Sequence, residues 1–162
     1  MSYSGRSGKN ANSAIIVSVS PADYGAQDPL DGMHFQETLE HKTYQLGNGK
    51  IPQQLFGDYR QNIASQGYGD FNSQTKGQTC FANLRGLMTE DMEHSFLLGM
   101  EHFSNIIPQF DRSDAILSGM ETRTSSPVRI MRDTNGESRV HGIYPLSLIH
   151  ISEPTRQAEI SY

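Results

Sequence analysis

An apolar stripe with the period of an α-helix is the strongest constraint that this sequence places on its fold. Large apolar residues recur every three or four positions up to Pro108, which cannot continue a helix. Thr89 precedes the stripe as an N-cap, and Glu90 and Asp91 put negative charge where the helix dipole favours it. The pattern predicts an amphipathic helix with a core-facing side. The stripe consists of Met92, Phe96, Met100, Phe103 and Ile107.

Weaker patterns elsewhere indicate a second helix and several strands. Residues 33–46 carry apolar side chains at helical spacing and are followed by Gly47, a usual C-terminal cap. Residues 14–20 alternate between apolar and polar side chains, which predicts a strand. Residues 133–136 (DTNG) predict the turn of a hairpin whose returning strand is residues 139–144. We therefore predict an α+β fold with two main helices and a C-terminal β-hairpin.

Residues 50–85 are rich in Gln, Asn and Gly and carry only short signals for regular structure, around residues 54–56 and 81–87. A connection of this length without elements of its own is uncommon in a compact domain and is usually functional or disordered. This stretch allows a function that is not enzymatic. In that alternative the chain is a small interaction module with residues 50–85 as its binding loop.

The composition argues against several classes of partner. A formal charge of -5, with lysines and arginines scattered singly, provides no basic stripe for a nucleic acid. No apolar run approaches the length of a membrane span, so we expect no membrane partner. The single cysteine, Cys80, cannot form an internal disulfide, which favours a reducing compartment. We expect a cytoplasmic protein.

The residues alone contain no familiar catalytic motif. The six histidines do not lie in an HExxH pattern and Cys80 has no second cysteine, so no metal site is predicted. Phosphate-binding glycine motifs are also missing. The remaining candidate is residues 122–130 (TRTSSPVRI), where Arg123 lies beside several hydroxyls and backbone amides. Such a cluster can hold an anionic group or a polar ring edge, although a turn with surface arginines is the ordinary alternative.

Residues 146–162 (LSLIHISEPTRQAEISY) differ in kind from the preceding sequence. They resemble the in-frame translation of a transposase-type sequencing adapter followed by a barcode and a constant flank. A natural amphipathic tail with a short strand at its start is the alternative. A segment of adapter origin takes no part in fold or function. We therefore divide the chain into residues 1–145 and a non-native tail, residues 146–162.

Several separate segments of residues 1–145 agree, in order, with one family of proteins. These segments are MSYSGR (1–6), NANSA (10–14), GNGKIPQQ (47–54), FANL (81–84), DAILSG (114–119), ETRTSSPVRI (121–130) and GIYP (142–145). Together they resemble the internal to C-terminal region of a bacterial family of FAD-dependent dehydrogenases, which are large and mostly uncharacterised flavoproteins.

The resemblance implies that residues 1–145 are a partial FAD-dependent oxidoreductase, namely its insert or substrate-side domain plus strands that return to the FAD-binding domain. In the family, the stretch similar to residues 142–145 leads into a glycine-rich segment that contacts the flavin. A dinucleotide-binding unit precedes the matched region. Because neither is seen here, we expect a fragment that is inactive alone, binds FAD weakly or not at all, and has the remainder of the parent chain as its partner.

The resemblance also implies which residues lie near the cleft between flavin and substrate. They are Arg6, Asn10, Asn12, Arg123, Thr124, Ser125 and Ser126. Arg123 is the candidate catalytic residue, because its charge would stabilise negative charge on reduced flavin or on a substrate carboxylate. The substrate is a small molecule that the sequence does not identify, and the electron donor is equally open.

Overall fold

The computed structural model describes residues 7–123 and 126–146. The chain divides into two compact units, Met1–Ser125 and Ser126–Tyr162. In the described part of the chain, every helix and strand belongs to the first unit. No helix among these residues is long and apolar enough to cross a membrane.

The first unit combines helices with a small sheet, which confirms the α+β class. Both predicted long helices are present and each has 17 residues. A third, short helix follows the first strand directly, and a single turn of 3-10 helix at Pro21–Tyr24 precedes the first long helix. The elements are α1 (Asp31–Gly47), β1 (Ile51–Leu55), α2 (Phe56–Gln61), β2 (Thr79–Phe81), α3 (Glu90–Ile106) and β3 (Ile116–Ser118).

The sheet has three strands in the order β2-β1-β3, with β1 at its centre. β1 runs parallel to β2, with Pro52 opposite Cys80, and antiparallel to β3, with Gln54 opposite Leu117. Residues 50–85 therefore supply the central strand, one edge strand and a helix. The expectation of a long irregular stretch was wrong for these parts of it, and only the short strand signal near residues 54–56 pointed to β1.

The core forms where α3 packs on α2. Thr89 caps α3 by accepting a hydrogen bond from the Met92 backbone N–H at 3.4 Å, as the sequence predicts. Phe96 of α3 lies edge-on to Phe56 and Tyr59 of α2, with ring centroids 6.3 Å and 5.3 Å apart. The buried cluster comprises Phe56, Tyr59, Leu84, Leu87, Phe96 and Met100. Burying each large apolar side chain contributes about 1.5–3 kcal/mol.

Gly57, in the first turn of α2, permits a close approach of two chain segments. A Cβ atom at this position would lie 2.9 Å from the Ser113 Cβ and 3.1 Å from its carbonyl oxygen. The Gly57 N–H donates to that same oxygen at 2.8 Å. A side chain here would separate α2 from the segment that leads into β3.

The predicted strand at residues 14–20 does not form. Its alternation is nevertheless visible, because Ile15 and Val17 pack against the core while Ile16 is 69% exposed. Among the described residues no strand pairs with this segment. An alternating pattern indicates which side chains face the core. It does not indicate whether another strand is near enough to form backbone hydrogen bonds with the segment.

In the second unit, the predicted hairpin is reduced to its turn and a single bridge. Arg132 and Ser138 form an isolated antiparallel bridge, and the Asp133 N–H donates to the Glu137 carbonyl at 2.9 Å. The predicted returning strand, residues 139–144, is wrong. The Ser138 N–H instead donates to the Ile143 carbonyl at 2.8 Å, which folds this segment back on itself.

Candidate functional site

The loop that follows β3 carries Arg123 and is fastened to α1 by a set of hydrogen bonds. The Gln36 amide donates to the Thr122 carbonyl at 2.9 Å. The Thr122 hydroxyl donates to Glu40 Oε1 at 2.7 Å. Arg123 donates to both oxygens of the same carboxylate, from Nε at 2.7 Å and from Nη2 at 2.8 Å. Gln36 and Glu40 lie one helical turn apart, so one face of α1 orients the whole loop end.

This arrangement fixes the charge state of both ionised partners. The hydrogen bonds from Arg123, and then that from Thr122, lower the pKa of Glu40 to about 2. The same contact raises the pKa of Arg123 above its usual value. The Arg123 side chain is 78% exposed, so one edge of the guanidinium binds Glu40 while most of the group faces solvent. The result is an ion pair that fixes the orientation of the guanidinium at the surface.

Asn10, a second predicted cleft residue, is bound elsewhere in the first unit. Its side-chain amide donates to the Asn72 carbonyl at 2.8 Å, and its backbone N–H donates to Gln74 Oε1 at 3.3 Å. The Lys9 N–H donates to the same Gln74 oxygen at 3.0 Å. These contacts fasten Asn10 to residues 72–74, whereas Arg123 is fastened to α1. Asn12 is exposed two residues after the half-buried Asn10.

The structure does not test the remaining predicted cofactor residues. Arg6, Thr124 and Ser125 lie outside the described residues. Ser126 belongs to the second unit, where its hydroxyl donates to the Val128 carbonyl at 2.8 Å and so closes a local turn. Their assignment to a flavin–substrate cleft stays a prediction.

Gln53, in the matched segment GNGKIPQQ, is a buried polar residue at the centre of the sheet. It is 0% exposed. Its amide nitrogen lies 2.9 Å from Ser73 Oγ, 3.1 Å from Thr75 Oγ1 and 2.8 Å from Ser118 Oγ. The Tyr68 hydroxyl donates to its Oε1 at 2.7 Å. A buried amide in an interior position is tolerated because its polar atoms are satisfied.

Gln54, the next residue, is also 0% exposed, and its side chain forms hydrogen bonds on the other side of β1. Its amide nitrogen donates to the Ile63 carbonyl at 2.6 Å and to Asn83 Oδ1 at 3.0 Å. Its Oε1 accepts from the Leu84 N–H at 2.7 Å. The two glutamines therefore tie irregular parts of residues 50–85 to the central strand.

A second charged cluster, which the sequence did not reveal, lies between α2 and α3. Glu93 is 8% exposed, accepts from the Gly86 N–H, and forms an ion pair with Arg85 Nε at 2.9 Å. The Arg85 guanidinium also lies over the Tyr59 ring, 5.1 Å from its centroid. Burial, and then the charge of Glu93, raise the pKa of the Tyr59 hydroxyl to about 12. From the sequence alone, acidic residues early in α3 are explained by the helix dipole, which hides this pairing.

Two clefts of the first unit lie away from Arg123 and Asn10. One, of about 510 Å³, is lined by Arg85, Glu93, His94 and neighbouring residues of α3. The other, of about 230 Å³, lies between residues 15–18 and α3. No group of three or more His, Cys, Asp or Glu side chains suited to a metal ion occurs among residues 7–123 and 126–146.

Comparison with known proteins identifies the family. Residues 1–124 match the family described as "FAD-dependent protein, C-terminal domain-like", and the chain belongs to that family. A protein of Clostridium beijerinckii (strain ATCC 51743 / NCIMB 8052), named only as an uncharacterized protein, is 41% identical over 149 residues. The alignment covers 90% of this chain and 28% of that relative, so the chain spans little more than a quarter of the relative's length.

The described residues do not by themselves fit a complete FAD site. One edge of the Arg123 guanidinium, Nε and Nη2, is engaged by Glu40, and the side-chain nitrogen of Asn10 donates to a backbone carbonyl. Neither residue lines the two clefts described above. A dinucleotide additionally needs backbone that approaches its pyrophosphate closely, usually through clustered glycines at a helix N-terminus.

Proposed function

We propose that this chain forms part of a longer, cytoplasmic FAD-dependent oxidoreductase of the dehydrogenase type that acts on a small-molecule substrate. The observation that carries the proposal is the family match over residues 1–124. The greater length of the Clostridium beijerinckii relative supports the view that the domain works within a larger protein. In such enzymes the flavin supplies the electron-transfer chemistry, and protein groups position the substrate.

In this proposal, the chain contributes a rigid platform that presents Arg123 to the substrate side of the cleft. Glu40 and Thr122 hold the loop end, and the exposed part of the guanidinium remains able to contact an anionic group. A substrate carboxylate matches that geometry, because arginine binds carboxylates through paired N–H donors. Arg6, Asn10, Asn12, Thr124, Ser125 and Ser126 are proposed to lie along the same cleft.

We further propose that residues 1–145 alone are inactive and that residues 146–162 are not native to the protein. The polar atoms of Gln53 and the side-chain nitrogen of Asn10 already have partners within the domain, which supports the view that this region does not hold a cofactor by itself. The partner that completes the site would be the remaining part of the longer chain.

A chimeric protein tests the proposal. Residues 1–145 replace the matching region of the Clostridium beijerinckii relative, and the intact relative serves as the reference. We expect both proteins to retain FAD on purification and to undergo reversible flavin reduction. Arg123→Ala in the chimera should lower turnover or shift the flavin potential, whereas Arg129→Ala, an exposed arginine of the second unit, should change neither. An intact relative without affinity for FAD would contradict the proposal, and an unchanged Arg123→Ala chimera would remove Arg123 from it.

A further inference from the structure

An apolar groove runs between the N-terminal segment and α3. It has a volume of about 230 Å³, and residues 15–18, Ser95, Phe96, Gly99 and Phe103 line it. We call this set of residues the docking groove. A Cβ atom at Gly99 would meet no atom within 4 Å, so the groove has open space above the helix backbone at that point.

The apolar surface continues beyond the docking groove at the end of α3. Ile16 is 69% exposed, Ile106 is 64% exposed, and Ile107 is 50% exposed. Ile106 lies one turn from Phe103 on the helix, so their side chains share a face. Scattered exposed apolar residues are normal on any protein, whereas exposed apolar residues that adjoin an apolar groove, as Ile106 adjoins Phe103, indicate an interaction site.

From these observations we propose that the docking groove and the end of α3 bind the remainder of the longer FAD-dependent chain. This inference rests on the proposed function. The family match is to a C-terminal-type domain, and 28% of the relative's length corresponds to this chain, so most of that protein is available as the occupant. The occupant presents apolar side chains, because no lining residue of the docking groove is ionisable although the chain carries 13 basic and 18 acidic residues.

Cysteine labelling tests this interface. Ser95→Cys places a thiol in the docking groove with little change in size. Glu101→Cys places one at an exposed position two residues from Gly99, which is roughly the opposite side of α3. Alkylation of each site is followed by peptide mass spectrometry, which distinguishes it from Cys80. The free chain is compared with the chimera described above and with the intact relative bearing cysteines at the aligned positions.

We expect the Ser95→Cys site to react at least about tenfold more slowly in the longer proteins than in the free chain, as for a group that reacts only after local opening. The Glu101→Cys site should react at similar rates in both. If the Ser95→Cys site reacts at the same rate in the free chain and in the longer proteins, the inference is wrong. If the site in the free chain is protected more strongly as the chain concentration rises, a second copy is the occupant and the inference is also wrong. The intact relative keeps the test decisive if the chimera misfolds.

The FAD content of each longer protein is measured separately. Protection of the Ser95→Cys site without bound FAD refutes the proposed function alone, and bound FAD without protection refutes the docking groove alone.

Discussion

Gln53 offers the sharpest test of how this domain is held together, because it is a fully buried polar residue in the central strand. The substitution Gln53→Leu keeps the size of the side chain and removes its polar atoms. Three hydroxyls around its nitrogen and the Tyr68 hydroxyl at its oxygen lose a partner. Ser73 and Thr75 retain their mutual hydrogen bond at 3.0 Å, which limits the loss.

The expected cost follows from the number of bonds that one amide can make. Its two N–H groups donate two hydrogen bonds and its oxygen accepts one from Tyr68. At roughly 1 kcal/mol for each bond, Gln53→Leu should lower the free energy of unfolding by about 2–3 kcal/mol. Urea unfolding followed by far-UV circular dichroism measures this, and the midpoint should fall by about 1 M at an unchanged slope.

Gln45→Leu is the matched control. Gln45 is exposed on α1, where its amide contacts only the His41 ring at 2.8 Å in the described structure. Its replacement should change the free energy of unfolding by less than about 0.5 kcal/mol. If Gln53→Leu costs no more than Gln45→Leu, then the buried hydrogen-bond network does not stabilise the sheet and the reasoning fails.

Two further substitutions address the backbone packing and the ion pair. Gly57→Ala should destabilise the chain by about 1–3 kcal/mol because its Cβ would clash with the neighbouring segment, whereas Gly99→Ala, which meets nothing, should stabilise α3 by up to about 1 kcal/mol. Equal effects in thermal melting would contradict this packing. The Glu40–Arg123 pair should stabilise the fold fully above pH 4.5 and lose its effect as the pH falls towards about 2, since the pKa of Glu40 is depressed in the folded state. The melting temperatures of the wild type and Glu40→Gln should therefore converge at low pH, and a gap independent of pH would refute the assignment.

The long helices were predictable because their signals are local. The Thr89 cap, the apolar stripe and Pro108 define α3 within a few residues of its observed bounds. The strand predicted at residues 14–20 was wrong because pairing depends on a distant partner, although Ile15 and Val17 face the core as their spacing indicates. The central strand β1 was only partly predicted, since it consists of IPQQL and its two glutamines suggest an exposed segment.

In the candidate site, too, features that depend on neighbouring residues were predictable and contacts between distant residues were not. Arg123 stood out as a cation among hydroxyls, but its partner Glu40 lies 83 positions earlier in the sequence. Nothing in a single sequence indicates that α1 meets this loop. The Arg85–Glu93 pair was hidden for a related reason, because an acidic residue in the first turn of a helix already has a sufficient local explanation.

Equilibrium FAD binding by the purified, flavin-free 162-residue chain and by the intact Clostridium beijerinckii relative tests the central claim most directly. The account predicts that the relative binds FAD tightly and that the chain alone shows no saturable binding at micromolar concentrations. Micromolar binding by the chain would contradict the proposal that this region does not hold FAD by itself. A relative that does not bind FAD would contradict the proposed function itself.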